Sequence, residues 1–195
     1  MLATDLIIGI ANPNAPTGQL LSLGDIEKIA KSNPDRVVVI DEAYIDFGGE
    51  SAYKLTEKYD NLLVVRTFSK SRSLAGARLG FAIANKEIIK DLEKLKFSTN
   101  PYDINRLTQK IGVAALLEDS YYTDNCKRII ENREFCEKEL KKLGFRMLIP
   151  VHDEIIAECP IKNAKKCAEL MSYCMIHAGK DLCVPLKCDT ELFKS

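Results

Sequence analysis

Four short apolar runs, each ending in a polar loop, most constrain what this chain can fold into. They lie at residues 5–11, 37–40, 62–66 and 79–84. The second, Val37-Val38-Val39-Ile40, has no polar alternation. A strand of that kind is expected to be buried on both faces, as in a parallel sheet. Helical patterns separate the runs. Ser22 with Asp25 forms a capping-box-like start for a helix reaching about residue 32, and Asn33-Pro34-Asp35 stops it. A short helix is expected over 52–59 and a longer one over 86–96, before Asn100-Pro101. Two more follow, over 105–118 and 120–143, with Gly144 placed to end the last. Strands alternating with helices predict an α/β fold: a partial, mostly parallel sheet layered by helices.

Composition narrows the function classes. Lys plus Arg equals Asp plus Glu at 28 each, so no net field draws the 195-residue chain to nucleic acid or anionic lipid. The apolar runs are far too short to span a bilayer. The opening Met-Leu-Ala-Thr-Asp lacks the basic and apolar regions of a secretory leader, so a cytoplasmic location and no membrane partner are expected. The seven cysteines include no CxxC pair and are odd in number, which predicts free thiols rather than a disulfide framework.

In open α/β sheets, ligands bind beyond the carboxyl ends of the strands. The polar residues at those ends are Asn12 and Asn14, Asp41 and Tyr44, and the stretch from Thr67 to Lys70, with Arg78 further on. An acid leaving a buried strand needs a cationic or proton-donating partner. A lysine near cations and partly desolvated becomes a nucleophile toward carbonyl carbon. Thr67 and Arg78 together can hold a phosphate, through a hydroxyl and a bidentate guanidinium.

The motifs Asn-Pro-Asn-Ala-Pro-Thr-Gly at 12–18, Val-Ile-Asp-Glu-Ala-Tyr at 39–44, Thr-Phe-Ser-Lys-Ser at 67–71 and Ala-Gly-Ala-Arg-Leu-Gly-Phe at 75–81 carry a family likeness. The chain resembles the fold-type I aminotransferases that use pyridoxal 5'-phosphate, and within them the histidinol-phosphate aminotransferases. Asn-Pro-Tyr-Asp-Ile-Asn at 100–105 adds to the likeness, which covers residues 1 to about 147. The resemblance implies transamination of histidinol phosphate with 2-oxoglutarate, so an amino donor and a 2-oxo acid as small-molecule partners, in a homodimer. It implies Lys70 as the catalytic lysine that binds the cofactor, and Asp41 as partner of its pyridine nitrogen. Tyr44 would donate to the ring oxygen, and Thr67 and Arg78 would hold the phosphate. The family places Asn directly before Pro-Thr-Gly, where this chain has Ala15. Asn12 or Asn14 then takes that contact to the ring oxygen, or serves the turn. Segments expected on both sides of this region, including the substrate-anchoring arginine, are absent, which predicts a truncated and inactive form.

The tail changes character. All eight arginines lie at or before Arg146, both histidines after it, and five cysteines within residues 148–195. Val-His-Asp-Glu at 151–154, the helix-like stretch after it and Val-Pro-Leu at 184–186 resemble the end of the palm of family A DNA polymerases. That likeness implies Asp153 as a metal ligand, His152 as a hairpin neighbour, and a nucleic-acid partner under this alternative alone. Two-metal phosphoryl transfer needs a second carboxylate from an earlier strand, which the chain lacks. The expected organisation is therefore residues 1–147 as a partial cofactor-binding large domain and 148–195 as a hairpin–helix–strand tail. A fusion of two gene fragments, or an assembly artefact, joined near Met147–Leu148 accounts for the asymmetry.

Overall fold

A computed structural model describes residues 7–151, 154–177 and 186–193. Its main sheet has four strands in the order β1 (Ile8–Ala11), β2 (Val38–Asp41), β3 (Leu62–Thr67) and β4 (Gly80–Ala84). The first three are parallel, in register through Ile10, Ile40 and Val64, whereas β4 runs antiparallel to β3. The direction of β4 follows from its connection, since the short 68–79 loop holds no crossover helix and a parallel return needs one.

One face of the sheet makes the core. Val38, Ile40, Leu62 and Val64 pack with Ile26 and Ala30 of α1 (Leu23–Ser32) and with Ala52, which opens a short 3₁₀ segment at Ala52–Glu57. The expectation that residues 37–40 are buried on both faces needs correction: Val39, pointing the other way, is half-buried. The helix starts are locked by side chains. Ser22 Oγ accepts from Asp25 N, Asn85 Oδ1 from Ile88 N at the start of α2 (Lys86–Thr99), and Asn105 Oδ1 from Thr108 N at the start of α3 (Arg106–Leu117). Each satisfies an amide that the helix cannot.

The described residues fall into two compact units that divide inside α4 (Asp119–Lys142), between Cys126 and Lys127. In the second unit, Gly144 takes a positive φ of 74° and Phe145 N returns to Leu140 O, closing α4 as a glycine C-cap does. An antiparallel hairpin follows, β5 (Arg146–Val151) with β6 (Glu154–Glu158), and then α5 (Ala164–His177). β5 runs through the Met147–Leu148 position. The expected closing strand begins outside the described residues, and residues 186–193 carry no regular secondary structure. No helix among the described residues is long and apolar enough to cross a membrane.

Candidate active site

β2 and β3 deliver their carboxyl ends side by side, with Asp41 level with Val65. An open cavity of about 420 Å³ lies there, lined by Asp41, Arg66, Thr67, Ser69, Lys70 and Arg78, among others. That volume is within the range of small-molecule sites. The donor set is one carboxylate, three cationic side chains and two hydroxyls, a mixture suited to a molecule with an anionic group and a protonated or polar ring.

Each lining residue has a local cause. Asp41 is the last residue of β2, and its Oδ1 accepts from Ala43 N at 3.0 Å, which fixes the carboxylate as the chain turns. Thr67 ends β3. Its Oγ1 accepts from Ser69 N at 3.0 Å and lies 2.9 Å from Ser69 Oγ, so the hydroxyl pair starts the loop as a tight turn. Lys70 follows, exposed, with its Nζ 5.0 Å from the centre of the Tyr44 ring. Arg78 sits at φ 51°, ψ 43°, the left-handed region, and its guanidinium donates to Ala75 O at 3.5 Å. That backbone aims a cation at the cavity from a conformation an L-residue adopts at a cost. Gly80, next along, has no room for a side chain, because a Cβ there would lie 2.8 Å from Arg66 O.

The structure thus brings Asp41, Thr67, Lys70 and Arg78 to one cavity, with Tyr44 beside Lys70. Asn12 is different. It is fully buried, its Oδ1 accepts from Leu21 N at 2.7 Å and its Nδ2 donates to Leu21 O. It does the work of a strand partner, which is the turn role of the two open for it. Asn14 Oδ1 accepts from Thr17 Oγ1 at 2.7 Å, within the same turn. Asp153 and His152 lie outside the described residues. Among the described residues no group of three or more metal-ligating side chains forms.

Four residues around the site were not singled out in the sequence: Glu42, Asp46, Arg66 and Ser71. Glu42 is buried, accepting from Ser51 Oγ and Ala52 N, with Arg66 Nε 3.9 Å from its Oε2. Arg66 also pairs with Asp46, which accepts from the buried Ser71 hydroxyl. Glu42 and Ser71 carried a signal, their places inside the 39–44 and 67–71 motifs; Asp46 and Arg66 are joined over separations the sequence does not display.

The second unit holds another open cavity, about 600 Å³, with Phe145, Met171, Met175, Cys159, Cys167 and Cys188 in its wall. The described cysteines are free thiols, as expected. Burial, then a hydrogen bond with Cys174, pushes the Cys136 thiol up to about 12; burial, then Cys159, pushes Cys167 up to about 11.

A mostly parallel α/β sheet thus brings a lysine, two arginines and an aspartate together beyond its strand ends, where sheets of this class bind small molecules. The chain belongs to the class I and II aminotransferases, whose family model matches residues 3–163. It is 57% identical to the histidinol-phosphate aminotransferase of Brachyspira hyodysenteriae over 142 residues, 72% of this chain and 40% of that protein. It is 47% identical to histidinol-phosphate aminotransferase 2 of Dechloromonas aromatica over 160 residues, 82% and 45%. Among solved structures, the histidinol-phosphate aminotransferase of Clostridium acetobutylicum matches with a TM-score of 0.63 and 28% identity, covering 83% of this chain and 50% of that one. The Sinorhizobium meliloti enzyme, solved with pyridoxal-5'-phosphate, shares the fold with a TM-score of 0.65 at 22% identity, covering 88% and 47%. The chain thus spans less than half the length of these curated relatives.

Proposed function

We propose that this chain is the cofactor-binding part of a histidinol-phosphate aminotransferase, exchanging an amino group between histidinol phosphate and 2-oxoglutarate with pyridoxal phosphate as cofactor. The observation that carries the reading is the cavity that Asp41, Thr67, Lys70 and Arg78 line together, in a chain so similar to the named relatives. The donor set fits the cofactor: a carboxylate for a ring nitrogen, hydroxyls and a guanidinium for a phosphate, and a primary amine for an aldehyde. When bound, the cofactor supplies an electron sink for the pair left as the substrate Cα proton departs.

The chain's own residues would do the rest. Asp41, held by Ala43 N, keeps a proton on the ring nitrogen by charge pairing. Thr67 Oγ1 and the Arg78 guanidinium hold the phosphate, and the Tyr44 hydroxyl and the Asn14 side chain orient the ring oxygen. Lys70 Nζ would hold the cofactor at its aldehyde carbon, and the same amine, when free of it, would serve as general base for the Cα proton. The Lys70 ammonium over the Tyr44 ring gives that amine a resting place between roles.

The test is direct. Incubation with pyridoxal phosphate should give a visible absorbance band that borohydride removes, and peptide mapping should find the reduced adduct on Lys70. An adduct scattered over surface lysines would refute the reading. Turnover of histidinol phosphate within the ordinary enzyme range, about 1–1,000 per second, would overturn the expectation of inactivity.

A further inference from the structure

We infer that Asp46 is a positioning residue for Lys70. It clamps the loop that carries the lysine to the end of β3; as a statement about catalysis this rests on the reading above.

The two carboxylate oxygens of Asp46 serve different parts of the site. Oδ1 takes the Arg66 guanidinium from β3, and Oδ2 takes the hydroxyl of Ser71, the residue directly after Lys70. Ser71 is buried, so its hydroxyl has no water to fall back on, and loss of its acceptor leaves a buried donor unpaired. Beyond the lysine, Ser73 N donates to Lys70 O at 3.0 Å and Leu74 N to Phe68 O at 2.9 Å. Before it, Thr67 Oγ1 holds Ser69 N. The backbone on both sides of Lys70 is therefore tied down; Ser71, the residue after it, reaches Asp46, and Arg72, one further on, reaches Ala115 O and Asp119.

Asp46 also settles which arginine can serve an anion. Arg66 and Arg78 both line the cavity. The Arg66 charge is matched by Asp46 and approached by buried Glu42 at 3.9 Å, and its guanidinium lies 6.0 Å from the Phe81 ring centre. Arg78 has no carboxylate partner among the described residues. Neutralising Asp46 would leave Arg66 with Glu42 alone, 3.9 Å away, and at once take the acceptor from the buried Ser71 hydroxyl beside the lysine.

Amide hydrogen exchange on the whole chain, without cofactor, tests the clamp. Asp46→Asn should speed exchange at Ser73 and Leu74 by about tenfold, the loss expected when a charge-assisted hydrogen bond is removed. Exchange at Glu42, whose amide bonds Val65 O in the sheet, should stay unchanged. Asp46→Glu should recover part of the protection, and Ser71→Ala should reproduce the loss should Asp46→Asn fail to fold. With pyridoxal phosphate added, the borohydride-trapped adduct on Lys70 should form about tenfold more slowly in Asp46→Asn. Unchanged exchange and adduct rate in Asp46→Asn or Ser71→Ala would overturn the inference. Absence of any Lys70 adduct in the unaltered chain, with exchange still raised by Asp46→Asn, would overturn the cofactor reading while the clamp stands.

Discussion

The two units of the chain build their interiors from opposite materials. In the first, β-branched and leucine side chains from β2, β3 and α1 reach complete burial, with Ile8 and Ile10 of β1 partly buried against them, and the polar groups Glu42 and Ser71 beyond the strand ends are paired through named partners. In the second, among residues whose side chains are described, only Leu140 and Cys167 are buried, while Ile155, Ile156 and Met147 remain substantially exposed and thiols line the cavity. A dry, well-packed sheet can hold charged groups at fixed positions on its rim. A thinly covered hairpin and helix cannot do so to the same degree. The proposed chemistry is placed in the first unit for that reason.

The comparison can be broken first at the site itself. Lys70→Ala should abolish the reducible pyridoxal adduct completely, and no substitution in the second unit should do so; mass mapping of the trapped adduct decides this. Packing comes next. Ile40→Ala, at a fully buried position, should destabilise the first unit by about 2–5 kcal/mol in urea unfolding followed by exchange of β2 and β3 amides. Ile156→Ala, at a half-exposed position, should cost under about 1 kcal/mol. Equal losses would erase the contrast.

The thiols sharpen it from the other side. Cys136 and Cys167 are pushed up to about 12 and about 11 in the folded chain from an ordinary value of 9.0, so folding favours their neutral forms. A raised folded value contributes stability below the unfolded one and loses it as pH climbs through the folded one. The second unit should therefore weaken from about pH 9 upward, read as faster exchange of α5 amides after correction for intrinsic rate, and Cys136→Ser with Cys167→Ser should flatten that dependence. The smallest effect is local. Ser22→Ala removes the cap on α1 and should lower stability by about 1 kcal/mol by urea titration, with the site chemistry unaltered.

Much of the first unit could be read from the residues because its signals are local. The run of β-branched residues at 37–40, the Ser22–Asp25 spacing, the glycine after the long helix and the Thr-Phe-Ser-Lys loop each act within a few positions. The tie from Asp46 to Arg66 and Ser71, and the burial of Glu42 against Ser51 and Ala52, join residues nine to twenty-five positions apart through the sheet. No periodicity announces such pairs. Asn12 shows a further limit. Two asparagines in one turn look alike as letters, and only the arrival of Leu21 beside the strand end decides which of them becomes a mock backbone partner.

Arg78 and its left-handed backbone have an evolutionary consequence. A non-glycine residue in that region carries strain of about 1–2 kcal/mol. Glycine at 78 would release the strain, and with it the guanidinium that faces the cavity. Selection for stability alone thus pulls this position toward glycine and, on the function proposed above, selection for anion binding pulls it back. In a lineage where the chain no longer had to hold a cofactor, position 78 should be among the first of the site to drift, well before the buried strands lose a methyl group.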